Sequence, residues 1–247
     1  MKTVEYGKGN EEVIILLHGG GLSWWNYKEV AEKLADRFHI VMPILHGHAG
    51  SGTPFTSIED NAKELISYID KTFEGHVLVI GGLSLGGQVL VEMLSQRNNI
   101  CKFAMIESAL VFPRKLTAAI IKPTYNMCYP LIKKLWFAKL QFKALHIKGE
   151  LFENYYTDTV GIAKEDMIAF LMANSNYRVK ESLADCEADA LVLAGGKEPS
   201  IMKRSARKIT DCLPIARLEI MKNYYHGDMS INHAEQYAEK LLQLINM

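Results

Sequence analysis

Apolar residues in this chain come in short unbroken runs, separated by longer stretches with helical periodicity. Residues 13–17 read Val-Ile-Ile-Leu-Leu, 38–42 Phe-His-Ile-Val-Met, 76–80 His-Val-Leu-Val-Ile, 102–106 Lys-Phe-Ala-Met-Ile and 190–194 Ala-Leu-Val-Leu-Ala. Runs of this length with little polar alternation are strands covered on both faces, as in a parallel sheet. Residues 216–221 supply a last strand. Helical patterns fill residues 27–36, 58–73, 200–212 and 234–245, and another runs from the turn after residue 80 to about residue 97. Ser57 opens the helix at 58, with Asp60 three residues on as a capping-box-like acid. Alternation from Val13 onward predicts an α/β fold, a mostly parallel sheet with helices on both faces and ligands at the carboxyl ends of its strands.

The alternation breaks once. Residues 112–182 are helical throughout, with Pro113, Pro123 and Pro130 expected as breaks or starts. This insertion leaves the strand ending near Ile106 and returns before Ala190. It should therefore lie over the strand ends as a helical lid. The expected organisation is a core of residues 1–111 and 183–247, with a lid of residues 112–182.

The 247 residues, 49% hydrophobic and 23% charged, suit one globular domain with an insertion. Zero formal net charge removes any whole-chain argument for nucleic acid. The charge is unevenly placed, however. Residues 108–149 contain no Asp or Glu but carry Arg114, Lys115, Lys122, Lys133, Lys134, Lys139, Lys143 and Lys148. That segment reads as a solvated helix face, a site for an anionic substrate, or a weak contact with an anionic membrane surface. Cys101, Cys128, Cys186 and Cys212 show no C-x-x-C spacing, and free thiols in a reducing cytosol are the simplest expectation. The first residues have no apolar signal core, and no run approaches membrane-spanning length. A cytoplasmic monomer or homodimer is expected.

The chemistry starts at Gly82-Leu83-Ser84-Leu85-Gly86, between the strand at 76–80 and the helix that follows. A G-x-S-x-G sequence in that setting is a nucleophile elbow, a sharp turn that exposes the serine hydroxyl. A serine needs a base, and the base needs an orienting acid. His226 falls between the last strand and the last helix, and His233 is its competitor at the helix start. Glu198, shortly after the strand at 190–194, is the favoured acid, and Glu107, after the strand at 102–106, the alternative. Oxyanion donors are expected from the backbone N–H groups of Leu85 and of Gly20, the latter in His18-Gly19-Gly20-Gly21. His46 and His48 read as loop residues, since no third metal ligand is near. The glycines at 47–52 fit a dinucleotide fingerprint poorly.

With these residues the chain resembles the α/β-hydrolase superfamily, in its compact capped group of esterases and carbon–carbon bond hydrolases. The resemblance rests on His18-Gly19-Gly20-Gly21, Gly82 to Gly87, Gly195-Gly196-Lys197-Glu198 and His226. Two departures stand out. Relatives usually carry aspartate where Glu198 stands, and an Asp-Leu-Pro-Gly-His-Gly type of sequence where this chain has Pro43-Ile44-Leu45-His46-Gly47-His48. The resemblance implies a serine hydrolase that cleaves a small or medium carboxylic ester through an acyl-enzyme, with no metal or organic cofactor. Thioester, amide, carbon–carbon and peroxyacid chemistry use the same triad, and some members act as small-molecule receptors. The lid is rich in bulky apolar residues. Tyr129 and Trp136, with Trp24 and Trp25 after the glycine turn, are expected to line a pocket above Ser84.

Overall fold

The computed structural model describes residues 1–246. Seven strands form one sheet in the order β1 (Thr3–Tyr6), β3 (His39–Pro43), β2 (Val13–Leu17), β4 (Val77–Leu83), β5 (Cys101–Glu107), β6 (Asp189–Gly195) and β7 (Ala216–Met221). Only β1 is antiparallel, with Thr3 opposite Pro43. The other pairings are parallel, with Leu17 beside Gly82 and Leu83 beside Glu107. Among the described residues the α-helices are α1 (Lys28–Leu34), α2 (Ile58–Thr72), α3 (Leu85–Gln96), α4 (Lys115–Ile132), α5 (Leu135–Ala144), α6 (Phe152–Gly161), α7 (Lys164–Asn176), α8 (Ser200–Cys212), α9 (Asp228–Asn232) and α10 (Ala234–Ile245).

Alternate strand residues point to opposite faces, so each continuous apolar run feeds two cores. Ile14, Leu16, Ile40, Met42 and Val79 pack with Val30 and Leu34 of α1 and Tyr237 and Leu241 of α10. Ile15, Leu17, Val41 and Ile80 pack with Leu65 and Ile69 of α2, Val89 and Leu90 of α3, and Ile209 of α8. Ile14, Ile15 and Leu17 have no exposed surface, and each such side chain contributes about 1.5–3 kcal/mol of burial. Ser57 caps α2 as expected, its Oγ accepting from the Asp60 N–H at 3.0 Å.

The structure adds to and corrects the pattern-based reading. β1 lies outside the predicted alternation, because four half-buried residues at a sheet edge leave no buried run to detect. The first predicted helix is a 3-10 turn at Trp24–Tyr27 followed by the seven-residue α1. Pro123 and Pro130 do not break a helix; both lie inside α4. Each removes a bond to the carbonyl four residues back, but Ala119 and Asn126 are solvent-exposed, where water replaces the lost partner. Helices α4 to α7 all lie between β5 and β6 in the chain. Gln88 of α3 ties them down, donating to the carbonyls of Leu110 at 2.6 Å and Asn174 at 2.9 Å.

Candidate active site

Ser84 stands where β4 passes into α3, at φ +53° and ψ −110°. A non-glycine residue there stores about 1–3 kcal/mol of strain, which the surroundings must over-determine. They do so by close packing. A Cβ on Gly86 would sit 2.2 Å from the Leu17 carbonyl oxygen, and one on Gly82 would sit 2.5 Å from that of Gly86. Glycine at both places lets strand, turn and helix cross at backbone contact. The Ser84 N–H donates to the Glu107 carbonyl at 2.8 Å, which fixes the turn from the neighbouring strand.

Three distant residues converge there. His226 Nε2 lies 2.9 Å from Ser84 Oγ, and its Nδ1 lies 3.1 Å from Glu198 Oε1. The Glu198 side chain is fully buried, while the imidazole is 45% exposed and open to an incoming molecule. Ser108 Oγ donates to the same Glu198 oxygen at 2.5 Å. Ser108 is itself held at φ +55° just beyond β5. The carboxylate is thus aimed by one hydroxyl and one ring nitrogen.

The acid loop after β6 and the base loop after β7 are joined through their main chains. Gly196 N–H donates to the Met221 carbonyl at 2.7 Å, and Lys197 N–H to that of Tyr224 at 3.1 Å. A Cβ on Gly195 would lie 2.3 Å from the Tyr224 oxygen, so only glycine admits the approach. Lys203 Nζ closes the acid loop by donating to the carbonyls of Gly196 at 2.9 Å and Glu198 at 3.0 Å. Asp228 Oδ2 accepts from the Tyr225 N–H at 3.1 Å, which braces the loop on either side of His226.

Glu107, the alternative acid, has a different place. It is buried, and its two oxygens accept from the N–H groups of Met229 at 3.1 Å and Ser230 at 3.3 Å. It therefore anchors the start of α9, immediately after the histidine loop. Burial pushes its carboxyl up to about 7, against the opposing pull of those donors and of His226. His233 lies away from Ser84, its Nε2 3.6 Å from Asp228 Oδ1.

The loop after β2 leaves one donor free. Gly19 N–H donates to Asn26 Oδ1 at 3.3 Å, Gly21 N–H to His48 Nε2 at 3.0 Å, and Leu22 N–H to the Gly19 carbonyl at 3.1 Å. Among the described residues Gly20 N–H has no partner. Gly20 packs against Leu85, its would-be Cβ 3.5 Å from Leu85 Cβ. Leu85 opens α3, so its N–H is one of the helix's orphan donors. Two donors therefore flank the serine, at the positive end of a helix.

Two histidines hold that loop. His18 Nδ1 donates to the Gly19 carbonyl at 2.9 Å, while its Nε2 accepts from Leu45 N–H at 3.1 Å. His48 Nδ1 donates to the His46 carbonyl at 3.0 Å, while its Nε2 serves Gly21. Each pattern requires the neutral ring protonated at Nδ1. Burial pushes His18 down to about 3 and His48 down to about 4, so both stay neutral. His48 also stacks on Phe170, with ring centroids 4.7 Å apart. Read only as a loop residue, His48 proves to be the acceptor that orients the glycine turn. Its pairing with Gly21, 27 residues earlier, has no signature in local pattern.

A cavity of about 310 Å³ opens against Gly20 and Gly21 and is lined by Leu22, Tyr125, Ile132, Gln141, Leu145, Tyr155, Met167 and Phe170 among others, with no charged side chain on its wall. The structure does not place the four expected aromatics on it. Trp24 and Trp25 line a different, polar hollow, where Trp25 Nε1 donates to Asp158 Oδ2 at 2.7 Å. The Tyr129 hydroxyl donates to the Ile162 carbonyl at 2.7 Å, and Trp136 is 62% exposed. Which aromatic faces inward depends on how α4 to α7 pack, and their spacing along the chain does not carry that. His46 is half-buried, its N–H donating to Asn61 Oδ1 at 2.9 Å. Among the described residues no group of three or more His, Cys, Asp or Glu is placed to hold a metal, and no helix is long and apolar enough to cross a membrane.

The same fold occurs in known structures. An esterase from Exiguobacterium antarcticum superposes with a TM-score of 0.82 at 16% identity, over 99% of this chain and 95% of its own. A thermophilic esterase from Thermogutta terrifontis gives 0.79 at 16% identity, over 99% and 92%. A bromoperoxidase from Bacillus anthracis gives 0.82 at 14% identity, over 99% and 95%. At these identities the likeness is one of fold. The sequence profile of the alpha/beta hydrolase family matches residues 14–240. A parallel sheet with one antiparallel edge, a strained serine at its central strand end and this profile match agree: the chain belongs to the alpha/beta hydrolase family.

Proposed function

We propose that this protein hydrolyses carboxylic esters with a small or medium, uncharged acyl group, through an acyl-enzyme. Ser84 Oγ attacks the carbonyl as His226 Nε2 takes its proton. Glu198 holds the imidazole through Nδ1 and stabilises its charged form. The N–H groups of Gly20 and Leu85 receive the developing oxyanion, where one such donor is worth about 10²–10³ in rate. His226 then protonates the leaving alcohol. It next deprotonates a water, which attacks the acyl carbon and frees Ser84. Helices α4 to α7 act as the lid, and the cavity beside Gly20 takes the acyl group.

The observation that carries this reading is the continuous Ser84–His226–Glu198 hydrogen-bond chain. The apolar, uncharged cavity wall favours a neutral acyl group over a carboxylate. Fluorophosphonate labelling followed by a series of p-nitrophenyl esters of rising chain length tests it. Labelling at Ser84 with turnover that falls for long chains is expected. Absence of labelling would remove the mechanism. Labelling without ester turnover would redirect the chemistry, and hydrogen peroxide as acyl acceptor then checks the reaction suggested by the bromoperoxidase neighbour.

A further inference from the structure

Large exposed apolar side chains are concentrated on one part of this surface. Seven of the eight among the described residues lie between residues 116 and 145. On α4 they follow the helix repeat. Leu116, Ile120 and Met127 are 87%, 60% and 77% exposed and stand four and seven residues apart, on one stripe with the exposed Pro123 and Pro130. On α5 Trp136 and Leu140, four apart, are 62% and 61% exposed. Nothing in the fold covers this face.

The same segment is cationic, and its lysines other than Lys148 are exposed. Residues 108–149 hold eight Lys and Arg and no acid, in a chain whose total charge is zero. Lys148 is spent on ion pairs with Glu29 and Glu150. Lys115, Lys122, Lys133, Lys134, Lys139 and Lys143 form no ion pair among the described residues. Of the acids on the neighbouring helices, Asp158 takes the Trp25 N–H, Asp166 the Phe55 N–H and Glu165 pairs with Lys164 near Tyr129, while Glu153 of α6 is exposed, so the lysines outnumber the acids around these helices.

We propose that the outer face of α4 and α5 docks on an anionic bilayer surface. Apolar side chains of this pattern enter the headgroup–acyl boundary, while the lysines beside the stripe extend their ammonium groups to lipid phosphates. A second copy of the chain is a poorer occupant. A two-fold contact on this face would set the acid-free lysine clusters against each other. The inner sides of the same helices supply Tyr125, Ile132, Gln141 and Ala144 to the cavity wall, so the docked element is the wall of the acyl site. Docking itself does not depend on the hydrolase reading.

Flotation of the full chain with vesicles tests the proposal. Binding is expected to phosphatidylcholine vesicles carrying about one third phosphatidylglycerol, not to phosphatidylcholine alone, and it should be lost at high salt. Each lysine near such a surface is worth about fivefold in affinity, so K133Q/K134Q/K139Q should weaken binding about 100-fold. L116S/M127S should weaken it as well. Both sets should keep wild-type turnover of a soluble ester, which shows that they fold. Ser84→Ala should bind vesicles like the wild type, separating docking from catalysis. Failure to bind anionic vesicles, equal binding to neutral ones, or a solution dimer that L116S/M127S dissociates would each overturn the proposal.

Discussion

His48→Phe isolates the support of the glycine turn from the chemistry at Ser84. Phenylalanine keeps a flat ring for the stack on Phe170 and the edge contact with His18, whose centroid lies 4.8 Å away. It deletes the Nε2 acceptor of the Gly21 N–H. A fully buried donor left without a partner costs about 1–3 kcal/mol; the Gly21 N–H is only part-buried, so water and rotation of the turn relieve much of that. Gly20 immediately precedes Gly21, so rotation of the turn carries its N–H away from the proposed oxyanion position. Complete loss of such a donor costs about 10²–10³ in turnover, which bounds the effect of displacing it. We expect kcat to fall about 10- to 100-fold with KM changed less than about twofold, because the donor acts mainly in the transition state. Steady-state p-nitrophenyl ester kinetics, normalised by fluorophosphonate titration of active sites, measures this. A pH arm checks the cause. The ring's pKa falls from 6.5 in the unfolded chain to about 4 in the folded one, so between those values the unfolded state binds the extra proton. Wild-type stability should therefore decline from about pH 6.5 to pH 4, by up to about 3 kcal/mol from this residue, and H48F should lack that part of the decline. Unchanged kcat together with an unchanged pH slope would refute the reasoning.

Ser84→Ala should lower ester turnover about 10⁴-fold or more and abolish fluorophosphonate labelling, read by intact mass. Glu198→Gln keeps the side-chain shape but loses the charge that stabilises the imidazolium; kcat should fall about 10³- to 10⁴-fold at neutral pH with little change in melting temperature. Glu107→Gln should leave turnover within about tenfold, since Glu107 anchors α9 and makes no hydrogen bond to His226. Burial raises the Glu107 pKa from 4.5 to about 7, so wild-type stability falls as pH rises through that window. Denaturant titrations at several pH values should show a flatter profile for Glu107→Gln.

The central strands, the elbow and the convergence of Ser84, His226 and an acid at the strand ends were legible because each rests on local signals. These are an unbroken apolar run, flanking glycines and a position just past a strand. The choice between Glu198 and Glu107 had no local signal. Both follow strands, and only the packing of Ser108 and α9 separates the carboxylate facing His226 from the one facing the N–H groups of Met229 and Ser230. The aromatic residues of the inserted helices were ambiguous for a related reason. Trp136 and Phe142 are similar in composition terms, yet one is solvent-exposed and the other buried, because neighbouring helices decide which side is inward. Pro123 and Pro130 misled through a rule that holds for buried helices and relaxes where water reaches the freed carbonyls.

The main-chain bonds from Gly196 to Met221 and from Lys197 to Tyr224 make the Glu198 and His226 loops one rigid cartridge. Its spacing is set mainly by peptide groups, whose N–H every residue type but proline carries, and by the close approaches at Gly195 and Gly196. Apart from Lys203, Asp228 and Ser108, which brace the two loops, the side chains around it and the outer sides of α4 to α7 are then free to change without moving Glu198 relative to His226. Changes in the cavity wall can thus accumulate in one part of the molecule while the Ser84–His226–Glu198 chain stays constant in another.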